Sequence, residues 1–174
     1  KSLPQSGGYL LSDDLRRLVF VQEALAHEGR SKDFVPLDTQ SLKWPAYLRF
    51  LHEKFPEKWP AFVSATQNAE VNPLGLIGAL TLLSKTNDLY YLHPSFGYYF
   101  EQFYAEPHGL VYKLKILPAT TLLPPLLDKT AIAENEAFWT NVAKQTFAPI
   151  EQAASPVDPN APLSFGEQLL ARFH

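Results

Sequence analysis

Near the start of the chain, short apolar runs alternate with a helical repeat of apolar residues. The runs at 9–11 and 33–37 are bounded by glycine or polar residues and are predicted to be strands. Between them, apolar side chains recur every three or four residues over 15–26, the pattern of an amphipathic helix. Strand, helix and strand with short connections predict a right-handed βαβ unit with parallel strands. Pro36 favours a sheet edge, because proline cannot donate a ladder hydrogen bond.

Helices are predicted over the next part of the chain. One covers 44–55, with Pro45 in its first turn and Trp44 on its buried side, and another begins at Trp59. A third runs from Pro73 to about residue 85 and is capped by Asn72. It lies in the uncharged run 71–84, which is shorter than the roughly 20 residues of a membrane-spanning helix. We therefore expect a buried helix there.

A second pair of extended segments is predicted at 89–92 and 110–117, where the latter alternates apolar and polar residues. An aromatic-rich helix is expected between them, at 94–104. A long helix is predicted over 130–153, although Pro149 should end or kink it.

These elements indicate an α/β fold: a small parallel βαβ unit with packed helices and a second short strand pair. The alternative is an all-α helical repeat array. Residues 1–154 are expected to form the α/β domain, 155–162 a proline-rich linker, and 163–174 the start of a further helical segment. The absence of methionine and the helix beginning at the end lead us to expect a piece of a longer protein.

Composition excludes several functions. The net charge is −3 and no basic patch is evident, so nucleic acid is not an expected partner. With no cysteine, disulfides, thiolate nucleophiles and cysteine metal sites are impossible. The five histidines show no metal-binding spacing, and no catalytic motif is present. We expect no resident metal, no cofactor and no catalytic residue in this segment.

Polar side chains follow both strands of the predicted βαβ unit, where ligands bind in open α/β sheets. These candidate ligand-binding residues are Ser12, Asp13, Asp14, Asp38 and Thr39. Their carboxylates could chelate a divalent cation or bind sugar hydroxyls. Alternatively, they are ordinary helix caps.

Aromatic residues crowd the segment from Tyr90 to Tyr104. A short helix buries one stripe, so some of these rings are expected to face outwards. Tyr91 and Tyr98 are the candidates for contact with a partner protein or glycan. The alternative is that the whole run belongs to the core.

The order of these segments resembles a known family. The residues that carry the resemblance are Tyr9–Asp14, Leu18–Gln22, Phe34–Thr39, Ser41–Tyr47 and Gly109–Leu114. They are similar to the soluble region that follows the membrane helices in bacterial protein O-mannosyltransferase-like membrane proteins of the GT-C type. The resemblance covers residues 8–55 and 96–117.

In that family the sugar-transfer chemistry belongs to the membrane part, and the chains often end in tetratricopeptide repeats. The resemblance therefore implies an accessory, non-catalytic, extracytoplasmic (periplasmic) binding domain. Its partners would be the membrane part and helical repeats of its own longer chain, and a protein or glycan. A cytoplasmic location stays open. The alternatives are a stand-alone metal-assisted enzyme at the acidic strand edge and a tetratricopeptide-type interaction module.

Overall fold

The computed structural model describes residues 3–5, 7–61, 70–93, 101–121 and 123–154. The chain divides into two compact units, residues 1–135 and 136–174. In chain order, the described elements are β1 (Gly8–Ser12), α1 (Leu15–His27), β2 (Phe34–Asp38), α2 (Pro45–Lys54), α3 (Pro73–Ser84), β3 (Leu89–Tyr91), β4 (Phe103–His108), β5 (Val111–Ile116), α4 (Lys129–Val142), a π-helical turn (Ala143–Phe147) and α5 (Ala148–Ala154).

The five described strands form one mixed sheet in the order β2–β1–β3–β5–β4. β1 is parallel to both of its neighbours, β2 and β3, whereas β5 runs antiparallel to β3 and β4. The predicted second strand pair is present, with Leu89 opposite Leu114. These observations confirm the α/β prediction and rule out the all-helical array for the described chain.

The predicted βαβ unit is confirmed. β1 and β2 pair in parallel, with Gly8 opposite Phe34. α1 connects them and ends at a Schellman motif, in which the Arg30 N–H bonds the Leu25 carbonyl and the Gly29 N–H bonds the Ala26 carbonyl. Gly29 has a φ of 71°, a conformation that glycine adopts without strain. β2 lies at the edge of the sheet, as its proline required.

Helices cover both faces of the sheet. α1 packs on one face and α2 and α3 pack on the other, because alternate residues of each strand point to opposite sides. The core under α1 consists of Leu10, Leu18, Leu25, Phe34, Tyr90, Leu92 and Val111. The larger core under α2 and α3 includes Tyr9, Leu11, Val35, Leu37, Leu48, Leu51, Trp59, Leu76, Leu80, Leu83, Leu89, Tyr91, Phe103 and Leu114.

Two expectations about α2 and α3 were wrong in part. Trp44 is exposed, because it is the N-cap residue and precedes the buried stripe. α3 begins as predicted, with the Asn72 side chain accepting a hydrogen bond from the Leu74 N–H at 2.9 Å. However, α3 is not buried all round. One side faces the core, and Leu74 and Leu82 on the other side are 73% and 65% exposed.

β4 was missed. The aromatic-rich helix was predicted to reach residue 104, but Phe103 and Tyr104 lie in β4. They are extended because β4 pairs with β5. A two-residue turn connects the two strands, and Gly109 in this turn has a φ of 64°. Residues 94–100 of the predicted helix lie outside the described residues.

The predicted helix over 130–153 is present as α4, the π-helical turn and α5. Pro149 does not end it. Instead, a widened π-helical turn ends at Phe147, two residues before the proline, whose missing N–H and bulky ring disfavour a bond to the fourth preceding carbonyl. The predicted linker and final helix, 155–174, lie outside the described residues.

Two further sequence expectations concern helices. Trp59 lies in a turn and is buried, and the rest of the helix predicted to begin there, 62–69, is outside the described residues. Over the described ranges, no helix combines the length and the apolarity needed to cross a bilayer.

Candidate functional site

The carboxyl ends of β2, β1 and β3 meet at one edge of the sheet, because these three strands are parallel. The chain leaves β1 towards β2 and later returns to the other side of β1 as β3. This edge is therefore a topological switch point, the usual position of ligand sites in open α/β sheets. The predicted residues Ser12 and Asp13 lie there at the end of β1, and His93 follows β3.

Ser12, Asp13 and His93 form a hydrogen-bonded cluster at this edge. Asp13 Oδ1 lies 2.7 Å from His93 Nε2, and Ser12 Oγ lies 3.1 Å from the same nitrogen. The Ser12 hydroxyl also accepts a hydrogen bond from the Asp14 N–H at 3.0 Å and contacts the Asp14 carbonyl at 3.2 Å. Tyr91 supports the imidazole, with ring centroids 5.3 Å apart. The cluster ties the end of β1 to the end of β3.

This geometry differs from a catalytic triad. In a triad the serine and the carboxylate engage opposite imidazole nitrogens. Here both engage Nε2. A carboxylate only accepts, so the hydrogen-bond network assigns the proton to Nε2, and His93 cannot take a proton from Ser12 there. Ser12 is also 0% exposed. The arrangement suits a structural clamp between the ends of β1 and β3.

Asp14 is the N-cap of α1. Its Oδ1 accepts a hydrogen bond from the Arg16 N–H at 2.9 Å, and its carboxylate lies within 3.7 Å of the guanidinium nitrogens of Arg16 and Arg17. Desolvation acts to raise the pKa of Asp14, but the backbone hydrogen bonds and the charge of Arg16 outweigh it and lower the pKa. The helix-cap interpretation of Asp14 is therefore the one the geometry supports.

Asp38 closes a turn after β2. Its carboxylate accepts from the Gln40 N–H at 3.1 Å and from the Ser41 hydroxyl. Its backbone N–H donates to the Tyr47 hydroxyl at 2.9 Å, which anchors α2 to the edge strand. Burial raises the pKa of Tyr47, so the phenol stays neutral. Thr39 contributes its N–H to the Ser12 carbonyl at 2.9 Å.

The three predicted carboxylates do not converge. Asp13 turns towards β3, Asp14 caps α1, and Asp38 closes its own turn. In the part of the chain that the structure describes, no group of three or more His, Asp or Glu side chains is placed to hold a metal ion. Cation binding at this edge has no preformed set of ligands among those residues.

Only one of the two tyrosines predicted to contact a partner lies within the described residues. Tyr91 was expected to face outwards, but it is 0% exposed and belongs to the core under α2 and α3. The reason is that β3 is an interior strand with helices over both faces, so neither side of it reaches solvent. Tyr98 lies outside the described residues.

His93 is the edge residue that sequence reasoning missed. Residues 89–92 were predicted to be extended, but their parallel pairing with β1 was not predicted. With that pairing known, the first polar residue after the strand would have been placed beside Asp13. The signal was therefore present in the sequence, but it depended on the sheet order.

Cavities lined by described residues lie away from the cluster. A polar cleft of about 350 Å³ sits at the amino-terminal edge of β1 and β3, between Gly7, Gly8 and residues 84–88. An apolar groove of about 330 Å³ runs beside α1 and is lined by Phe20, Val21 and Leu110, among others.

Comparisons with protein-family models, with curated proteins and with solved structures find no match for this chain.

Proposed function

We propose that this chain is a non-catalytic binding domain, an accessory part of a larger membrane-anchored glycosyltransferase-like protein on the extracytoplasmic side. The parent and the compartment rest on the family resemblance of residues 8–55 and 96–117. One observation carries the non-catalytic part: the polar side chains at the switch point serve the fold's own hydrogen bonds. Ser12 is buried in such bonds, Asp14 caps a helix and Asp38 closes a turn.

The candidate from another class is a metal-assisted enzyme working at Asp13 and Asp38. A divalent cation needs several oxygen ligands around one point. Asp38 Oδ1 and Oδ2 already accept hydrogen bonds from the turn that follows β2. Asp13 is directed towards His93 and Asp38 into its own turn, so the two carboxylates do not surround one point, which makes the binding domain the better supported of the two.

The experiment is thermal unfolding with and without Mg²⁺, Mn²⁺ or Ca²⁺. A cation at 100 times its dissociation constant would stabilise the fold by about 2.7 kcal/mol. For a chain of this size that is a rise in Tm of roughly 5–10 °C. We expect a change below about 1 °C with each ion, because no ligand set is preformed.

The matched control is the variant Asp13→Asn with Asp38→Asn, which removes both carboxylates without changing shape. We expect wild type and variant to respond alike to all three ions. A rise in Tm with one particular ion, abolished in the variant, would sink the binding-domain proposal and establish the metal site.

A further inference from the structure

The outer side of α3 is exposed and carries no charge. Leu74 and Leu82 are 73% and 65% exposed, and no charged residue occurs from residue 71 to residue 84. A surface helix ordinarily presents charged or polar side chains on the side away from the core. Exposed apolar side chains that share one uncharged side of a helix are typical of a contact site. We call the side of α3 formed by Leu74, Gly78 and Leu82 the α3 stripe.

The glycines of α3 are not required by its own fold. A Cβ added at Gly78 would meet nothing within 4 Å, and one added at Gly75 would meet only Val71 Cγ1 at 3.9 Å. Both positions are exposed. Glycine is an unfavourable residue inside a helix, so its presence at open positions needs another reason. Small residues on a helix surface allow a second helix to approach closely.

The α3 stripe is symmetric about its glycine. Leu74 and Leu82 lie four residues before and after Gly78, and residues at this spacing share one side of a helix. A two-fold axis passing near Gly78 and perpendicular to the helix would set Leu74 of one copy against Leu82 of the other. The glycines would then face each other at the closest approach. Such a surface is self-complementary, as an isologous interface requires.

The charges at the two ends of α3 favour the same arrangement. Glu70, whose Oε1 also lies 3.2 Å from Lys43 Nζ of its own chain, precedes the uncharged run and Lys85 follows it, and both are exposed. An antiparallel pair brings Glu70 of each copy towards Lys85 of the other, whereas a parallel pair would bring like charges together. Antiparallel packing also sets opposite ends of the helix dipoles side by side.

We propose that α3 packs antiparallel against α3 of a second copy of this chain, across a two-fold axis near Gly78. A lipid surface is the less favoured occupant, because binding to lipid is strengthened by large apolar side chains such as leucine, whereas this side of the helix carries glycines. This self-association goes beyond the proposed function and does not depend on it. A metal effect at the strand edge would overturn that function and leave this interface untouched.

The interface is small. A helix of 12 residues is about 18 Å long, so its outer side offers less than the roughly 800 Å² per partner of a standard interface. We therefore expect a weak dimer with a Kd on the order of 10–100 µM. This affinity is lower than that of stable complexes with interfaces of standard size.

Sedimentation velocity of the 174-residue chain over a wide concentration range measures this directly. We expect a monomer–dimer equilibrium for the wild type. Leu82→Glu should lower the dimer affinity by at least about tenfold, because each half of the two-fold interface would then bury a charge. Phe20→Glu is the control, since Phe20 is 74% exposed on α1 over the opposite face of the sheet. It should dimerise like wild type.

Gly78→Leu separates contact from folding. Leucine is a better helix former and has open space in the monomer, so the Tm at low concentration should rise by about 2–4 °C. The same side chain would hold the two helices apart and weaken the dimer. A variant that is more stable and yet more monomeric is the expected result.

Disulfide trapping tests the geometry, because the chain contains no cysteine of its own. Leu74→Cys mixed with Leu82→Cys should give a crosslinked dimer, and each variant alone should give much less. Monomer at every concentration would overturn the proposal, as would dimers unaffected by Leu82→Glu. A monomer that binds phosphatidylcholine–phosphatidylglycerol vesicles through the α3 stripe would also overturn it, in favour of lipid.

Discussion

Tyr91→Ala is expected to lower the free energy of unfolding by about 3–5 kcal/mol, the usual loss for removing a large buried aromatic ring. Tyr91 is 0% exposed in an interior strand, and its ring supports the imidazole of His93 with centroids 5.3 Å apart. The substitution leaves a cavity between the sheet and the helices above it, and it also loosens the clamp between β1 and β3. Urea denaturation with linear extrapolation measures the loss.

Phe20→Ala provides the comparison, because Phe20 is an aromatic residue that lies mostly in solvent. Its removal should change the free energy of unfolding by no more than about 0.5 kcal/mol. Equal effects of the two substitutions would show that Tyr91 lies at a surface, as the sequence alone suggested, and that the sheet order around β3 is wrong.

Gly7→Ala is expected to cost more than about 3 kcal/mol, through left-handed backbone strain together with a steric clash. Gly7 has a φ of 77°, and an added Cβ would lie 2.3 Å from the Asp33 carbonyl oxygen. That oxygen accepts a hydrogen bond from the Gly8 N–H where β1 and β2 begin to pair. Relief of the clash therefore has to separate the two parallel strands.

Gly29→Ala isolates the backbone contribution. Gly29 has a similar φ of 71°, but nothing lies within 4 Å of an added Cβ. Only the left-handed conformation is penalised, at about 1–2 kcal/mol. Chemical denaturation of both variants gives the difference. Equal losses would mean that β1 and β2 do not approach each other as closely at Gly7 as the structure has them.

The part of the fold that sequence reasoning predicted is the part with local causes. The βαβ unit is marked by glycines at its joints, by helical periodicity in α1 and by the cap at Asp14, all within about thirty residues. Pro36 indicated an edge strand, because a residue without an N–H is tolerated at the edge of a sheet. Each of these signals acts over a few neighbouring residues.

The errors arose where distant pairing decides the structure. Phe103 and Tyr104 fit a helical aromatic stripe, and only their pairing with Ile116 and Lys115 makes them a strand. Tyr91 was expected at the surface because the strands on either side of β3 could not be identified. For the same reason the sequence placed Ser12 and Asp13 at the carboxyl edge but not their partner, His93.

We expect the Ser12–Asp13–His93 cluster to be part of the fold and not a reaction centre. The most direct test is a double-mutant cycle with Asp13→Asn and His93→Gln, followed by urea denaturation. A structural clamp predicts that both single variants are less stable than wild type, with a coupling energy of about 0.5–3 kcal/mol for two residues in contact. Functional clusters instead tend to cost stability, and their removal tends to stabilise. Single variants as stable as wild type, or more stable, would contradict the structural role.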